Sequence, residues 1–214
     1  MTHTLHMGPA AAEAAAICLV VHGRGQTQDD MVQSIVSRLD APRVHVVLPK
    51  SDGPGWYAAR AVDPLTDVSR AELAASLAAL DATVQAARAA APGLPLVLAG
   101  FSQGACLIAE YLMTRGPVTA AAMFTGCRVG ARSDKLPITG LRGMPAYLSG
   151  GDADPWIPYP ACLELASDLV AAGARLRADI FPGRAHEVAG AEIATLQQML
   201  DDVMAGRGLL AGAA

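Results

Sequence analysis

Short apolar runs alternate with longer amphipathic stretches along most of this chain. Ile17-Cys18-Leu19-Val20-Val21 is continuously apolar, the pattern of a strand buried on both faces. Comparable runs predict strands at 44–48, 95–99, 119–124, 144–149 and 175–181. Between them, a spacing near 3.6 residues predicts helices at about 28–39, 70–91, 103–114, 159–172 and 189–204. In the helix at 70–91, Leu73, Leu77, Leu80 and Val84 fall on one stripe of an alanine-rich sequence. Leu5 fits a short antiparallel edge strand. Such alternation builds an α/β fold, a doubly wound and mostly parallel sheet with helices on both faces. The stretch 49–68 carries no periodic pattern, and no insertion between the central strands is long enough for a large lid. No repeat or long linker divides the chain. Residues 1–214 read as a single domain, with 1–10 and 206–214 as candidates for frayed ends.

The candidate chemistry lies where strand 95–99 gives way to helix 103–114. Gly100-Phe101-Ser102-Gln103-Gly104 is G-x-S-x-G in the strand–turn–helix context of a nucleophile elbow. A turn that tight strains the serine backbone and leaves no room for side chains at 100 and 104, a demand that glycine meets. It lifts the hydroxyl off the sheet and aims a helix N-terminus at developing negative charge. A glycine-rich β–α turn can also hold a serine by chance, so the downstream residues decide. The histidine that follows Ser102 is His186, in the loop Pro182-Gly183-Arg184-Ala185-His186-Glu187 after strand 175–181. Asp152 and Asp154 lie just past strand 144–149. All three therefore sit beyond C-terminal strand ends, where open α/β sheets build their sites. The order Ser, Asp, His is that of one class of serine triads. Only one aspartate can orient His186, and spacing alone does not choose.

These residues resemble the phospholipase/carboxylesterase family of serine α/β-hydrolases, which also holds acyl-protein thioesterases. That family carries G-F-S-Q-G-[AG], then G-x-x-D-x-x-[VI]-P, then G-x-x-H. This chain reads Gly100-Phe101-Ser102-Gln103-Gly104-Ala105, then Gly151-Asp152-Ala153-Asp154-Pro155-Trp156-Ile157-Pro158, then Gly183-Arg184-Ala185-His186. The resemblance runs from about Ile17 to about His186. It implies an α/β-hydrolase fold with Ser102, Asp154 and His186 as catalytic residues. Asp152 then reads as a turn residue whose side chain bonds local backbone N–H groups. Upstream, the family's H-G-x-G stands here as His22-Gly23-Arg24-Gly25, which implies an oxyanion hole made of the Arg24 and Gln103 backbone N–H groups. His22 reads as structural, and Gly23 joins the substrate-binding set. The family's tryptophan-bearing loop walls the acyl pocket and corresponds to the stretch holding Gly53-Pro54-Gly55-Trp56-Tyr57. Trp56, and Trp156 beside the acid loop, are accordingly expected at the substrate. A bacterial branch linked to aromatic ring-cleavage enzymes usually has Trp-Tyr-Pro, whereas here Ala58 replaces the proline.

Composition narrows the partners. Net charge is −4 without a basic cluster, which argues against nucleic acid. Hydrophobic residues make up 52% of the chain, yet much of that is alanine and no run approaches a membrane span. Met1 to Pro9 lacks the basic n-region of a secretory signal. Cys18, Cys106, Cys127 and Cys162 are widely spaced, which favours reduced thiols in a cytoplasmic protein over disulfides or a metal site. The expected function is a serine carboxylesterase that hydrolyses short-chain or aryl esters through an acyl-enzyme on Ser102. Its partner is a small-molecule ester; no metal or cofactor is implied, and a homodimer is left open. Two alternatives remain: a lysophospholipase or acyl-protein thioesterase with a long apolar groove, and a catalytically silent binding protein of the same fold.

Overall fold

A computed structural model describes residues 4–208. Its strands are β1 (Leu5–Met7), β2 (Ala16–Val21), β3 (Val44–Leu48), β4 (Leu96–Phe101), β5 (Ala120–Phe124), β6 (Pro145–Gly151) and β7 (Arg175–Phe181). The helices are α1 (Gln28–Ser34), α2 (Asp67–Ala90), α3 (Gln103–Arg115), α4 (Tyr159–Ala171) and α5 (Gly190–Met204). All seven strands join one sheet in the order β1-β3-β2-β4-β5-β6-β7. β1 runs antiparallel to β3, as expected for Leu5, and the other pairings are parallel. This is the expected α/β-hydrolase arrangement.

Strand order reverses at β2, which has β3 on one side and β4 on the other. Loops leaving β2 and β4 therefore diverge and open a crevice at their carboxyl ends. Val21 pairs with Gly100, so the two strands end level and His22-Gly23-Arg24 is carried to the side of Ser102.

Alternation along each strand divides the core between the two faces. Ile17, Leu19 and Val21 pack with the Leu73, Leu77, Leu80 and Val84 stripe of α2 and with α3 and α4. Ala16, Cys18 and Val20 pack with Met31 of α1 and with Leu196, Met199 and Leu200 of α5. Helix α3 is buried almost end to end, from Gln103 to Met113. All four cysteines are free and buried. Burial pushes the Cys18 and Cys162 thiols up to about 12. Among the described residues no helix is long and apolar enough to cross a membrane.

Two helix boundaries differ from the hydrophobic pattern, each for a local reason. Helix α2 starts at Asp67, ahead of its apolar stripe, because Thr66 and Ser69 form a reciprocal capping box with bonds of 3.1 and 2.8 Å. Helix α1 stops at Ser34, where Ile35 turns to φ −126°, and a short 3₁₀ turn over Val36–Arg38 follows. The Ser34 and Ser37 hydroxyls donate back to the Asp30 and Gln33 carbonyls, which competes with regular helix here. Of the ends expected to fray, residues 1–3 and 209–214 lie outside the described residues. Residues 5–7 are instead paired in the sheet, and Arg207 returns to the Asp202 carboxylate at 2.8 Å after Gly206 closes α5 at φ 65°.

The irregular stretch between β5 and β6 is tied down by a buried charge cluster. Arg128, 6% exposed, donates to both Glu110 carboxylate oxygens of α3 at 2.7 and 3.2 Å. It also reaches Asp168 of α4 at 2.6 Å and the Pro137 carbonyl at 2.8 Å. Burial penalises the guanidinium charge, and its two carboxylates outweigh that penalty, so its pKa stands above the ordinary value. Removing one partner strands the other charge. Arg128→Met should therefore lower unfolding stability by about 3–5 kcal/mol, read from urea denaturation, and the double change with Glu110→Gln should recover part of the loss.

Candidate active site

The site begins with a backbone constraint. Ser102 has φ 54° and ψ −123°, a positive-φ conformation that costs a residue bearing a side chain about 1–3 kcal/mol. It is held there by its own N–H on the Phe124 carbonyl at 2.9 Å and by the start of α3, where Cys106 N–H reaches the Ser102 carbonyl at 3.0 Å. A Cβ at Gly104 would lie 2.1 Å from the Val21 carbonyl oxygen, and one at Gly100 would lie 2.9 Å from the Gly104 carbonyl carbon of α3. Both motif glycines are thus required by contact with other elements.

Ser102 Oγ lies 2.9 Å from His186 Nε2, and His186 Nδ1 lies 2.7 Å from Asp154 Oδ2. The Asp154 side chain is fully buried, while that of His186 is 20% exposed. The second oxygen of Asp154 accepts the Trp156 and Ile157 N–H groups at 2.8 and 2.9 Å, which fixes the carboxylate plane. With an acceptor carboxylate at Nδ1, the proton of neutral His186 sits there and leaves Nε2 facing the serine hydroxyl. The Phe101 ring packs on the imidazole at 4.8 Å between centroids. Asp152 does not bond within its own turn. It accepts the Gly183 N–H at 2.6 Å, 31 residues away, and so joins the acid loop to the histidine loop.

The loop after β2 is braced by neutral groups. His22 Nδ1 faces the Gly23 carbonyl at 2.7 Å, and its Nε2 accepts the Ser51 N–H at 3.1 Å. That pairing requires the neutral Nδ1–H tautomer, and burial lowers the His22 pKa in the same sense. Gln103 opens α3, so its backbone N–H lies in the first turn, without an intrahelical acceptor. Its side chain accepts Trp56 N–H at 2.9 Å and donates to the Tyr57 carbonyl at 2.8 Å. The Gly23 N–H is taken by Gln26 Oε1 at 3.0 Å, so this glycine contributes close approach to Ser102 Cβ (3.2 Å from an added Cβ) and no free donor. The Arg24 side chain extends to the Ala58 and Ala59 carbonyls, at 3.2 and 2.6 Å.

A cavity of about 640 Å³ opens at Ser102. Its wall includes Arg24, Gln103, Trp156 and His186, with Tyr57 of the expected wall loop, and Cys106 and Cys127, which sequence reasoning had placed only in the core. Trp156 is 67% exposed on the rim. Trp56 is absent from this wall. It is 7% exposed, stacks on His22 at 4.9 Å and donates from Nε1 to the His22 carbonyl at 2.9 Å. The expectation for Trp56 is therefore corrected: a ring that must satisfy an indole N–H found its acceptor behind the loop, away from the cavity. Among the described residues no group of three His, Cys, Asp or Glu side chains is placed to hold a metal ion.

The histidine loop also holds a second buried ion pair, which no local pattern had signalled. Arg184 donates to Glu192 at 2.6 Å, to Thr125 Oγ1 at 2.7 Å and to the Glu187 carbonyl at 2.9 Å. Glu192, fully buried, also accepts from the Ser149 hydroxyl and caps α5 through the Ala189 N–H at 2.5 Å. The histidine loop is thereby fastened to β6, α5 and the end of β5.

No curated protein sequence matches the chain. The sequence pattern of the phospholipase/carboxylesterase family matches residues 8–204. Among solved structures, the chain is similar to the phospholipase/carboxylesterase from Dyadobacter fermentans, at 25% identity over 94% of this chain and 96% of that one, with a TM-score of 0.84. A carboxylesterase from Mesorhizobium loti aligns at 24% identity over 90% and 91% of the two chains, with a TM-score of 0.72. The Bacillus cereus carboxylesterase aligns at 17% identity over 95% of each chain, with a TM-score of 0.75. These last two likenesses speak to fold alone.

Arg184→Met leaves Glu192 buried without its cation. Stability should fall by about 3–5 kcal/mol in a denaturant titration, whereas Arg184→Lys should lose less, since the ammonium still meets the carboxylate.

Proposed function

The chain belongs to the phospholipase/carboxylesterase family and is a carboxylic ester hydrolase, and on that premise we propose that it works through an acyl-enzyme on Ser102. The observation that carries this reading is the unbroken chain of contacts from Asp154 through His186 to Ser102, at 2.7 and 2.9 Å. His186 Nε2 takes the hydroxyl proton as Ser102 Oγ attacks the ester carbonyl. Asp154 holds the tautomer and stabilises the imidazolium that forms. The tetrahedral oxyanion rests on the Arg24 and Gln103 backbone N–H groups, each contributing about 3–4 kcal/mol of transition-state stabilisation. Protonated His186 then hands its proton to the departing alcohol. Water, activated by the same histidine, releases the acid.

The shape and lining of the cavity support short-chain or aryl esters. Its 640 Å³ accommodates a small ester with both substituents. Buried Tyr57, Cys106 and Cys127 stand at the inner wall, and Trp156 offers a flat face at the rim. A lysophospholipase or acyl-protein thioesterase reading would want a long apolar groove. Here Arg24, Arg60, Asp63 and Arg128 interrupt the apolar wall. Four free buried thiols support a reducing compartment such as the cytoplasm.

Ser102→Ala and Asp154→Asn should each lower kcat on an aryl butyrate by about 10³-fold or more while the fold is kept, checked by circular dichroism. Asp152→Asn should change kcat far less. A fluorophosphonate probe should label Ser102 alone, and labelling elsewhere or a Ser102→Ala protein with most of its turnover would remove the assignment.

Substrate length gives a separate check. If a groove received the acyl chain, each buried methylene would contribute about 0.8 kcal/mol and kcat/KM would climb steeply with length. Acetyl to butyryl esters should instead be hydrolysed best, with a decline beyond about eight carbons. A palmitoyl ester outperforming a butyryl one below its micelle threshold would favour the long-chain reading.

A further inference from the structure

An ester whose carbonyl sits at Ser102 sends one substituent toward the buried end of the cavity and the other toward its mouth. The buried end is formed by Tyr57, Cys106 and Cys127, which are 7%, 3% and 1% exposed. At the mouth stand two exposed arginines, Arg24 and Arg60. Resting on the family reading above, we propose that these two arginines select esters carrying a carboxylate on the substituent that points outward.

The argument turns on how the charges near the mouth are committed. Arg24 gives one terminal nitrogen to the Ala58 and Ala59 carbonyls, which anchors its guanidinium on the cavity wall without neutralising it. Among the described residues neither Arg24 nor Arg60 has a carboxylate within salt-bridge distance. Asp63 accepts the Arg60 N–H at 3.2 Å and Glu72 accepts the Ala58 N–H at 2.8 Å, and neither carboxylate reaches a guanidinium. Arg128, by contrast, faces the same cavity with its charge already matched by Glu110 and Asp168. The mouth therefore presents guanidinium N–H donors with no carboxylate at salt-bridge distance among the described residues, beside the one place where a substrate must stop.

Arg60 opens a tight turn at the mouth. Residues 60–63 form a tight turn, closed by Asp63 N–H on the Arg60 carbonyl at 3.4 Å, and Val62 within it takes φ 62°. A β-branched residue in that region is costly, and a glycine or asparagine would be the easy choice. The Asp63 carboxylate on the Arg60 N–H holds the turn in spite of that cost. A planar guanidinium fork then meets a carboxylate in paired hydrogen bonds, which a hydroxyl or amide cannot match.

Two matched pairs of esters test the proposal, because either substituent of an ester can be the outward one. In the first pair the charge lies on the leaving group: 3-carboxyphenyl butyrate against its neutral 3-carbamoylphenyl counterpart. In the second it lies on the acyl group: phenyl hemisuccinate against phenyl succinamate. The charged member of at least one pair should exceed its neutral partner in kcat/KM by about tenfold, the size expected when a charge-assisted hydrogen bond replaces a neutral one. Arg60→Gln should erase most of that advantage and Arg60→Glu should reverse it. The readout is the ratio of charged to neutral kcat/KM within each pair, because a general disturbance of the cavity wall lowers both members alike. Raising the ionic strength from about 0.02 to about 0.5 M should shrink the advantage in the native protein. If neither charged ester is preferred, or if Arg60→Gln lowers charged and neutral turnover equally, the proposal is overturned while the esterase reading stands. If none of the four esters is turned over, it is the esterase reading that fails.

Discussion

The close approach of the first turn of α3 to the end of β2 is the constraint on which the site depends. Only hydrogen at Gly104 lets the helix start against the Val21 carbonyl. That contact forces the chain leaving β4 into the positive-φ geometry of Ser102. Three consequences follow from one packing distance. The serine hydroxyl meets His186, the first residue of α3 follows it directly, and the loop after β2 is held beside both. A larger residue at 104 would push α3 away and dissolve all three together. The cost of the elbow is local, and the surrounding sheet and helix supply the contacts that overcome it.

Two kinds of brace hold the rest, and their chemistry differs with distance from the proposed oxyanion. Next to Arg24 and Gln103 the braces are neutral: the Gln103 amide on residues 56 and 57, the His22 imidazole on Ser51, the Trp56 indole on the His22 carbonyl. Farther out the braces are ionic and buried, Arg128 with Glu110 and Asp168 on one side, Arg184 with Glu192 on the other. Each of these is costly to desolvate and costlier to break, so each holds its loop in one arrangement. The irregular segments that frame the cavity thus owe their shape to polar contacts with helices α3, α4 and α5, and hardly at all to local propensity.

The sequence by itself determined the elements and the motifs. Strand cores and helical stripes follow from hydrophobic periodicity, which is local, and Leu73, Leu77, Leu80 and Val84 are buried together as their spacing required. Ser102 and His186 could be picked out because each follows its own strand in an order that few other arrangements share, whereas Asp154 was told from Asp152 only by the resemblance to a family motif. Tertiary structure decided what depends on contacts between distant positions. Trp56 went behind the loop because the His22 carbonyl, 34 residues away in sequence, was the acceptor its indole could reach. Asp152 left its own turn for the Gly183 N–H. Arg184 and Glu192 look like surface residues in sequence, and became a buried pair only when β6, α5 and the histidine loop converged on them. Periodicity reports which face of an element is apolar, but a polar group's partner is fixed by where the whole chain brings the complementary donor or acceptor, and no local pattern encodes that.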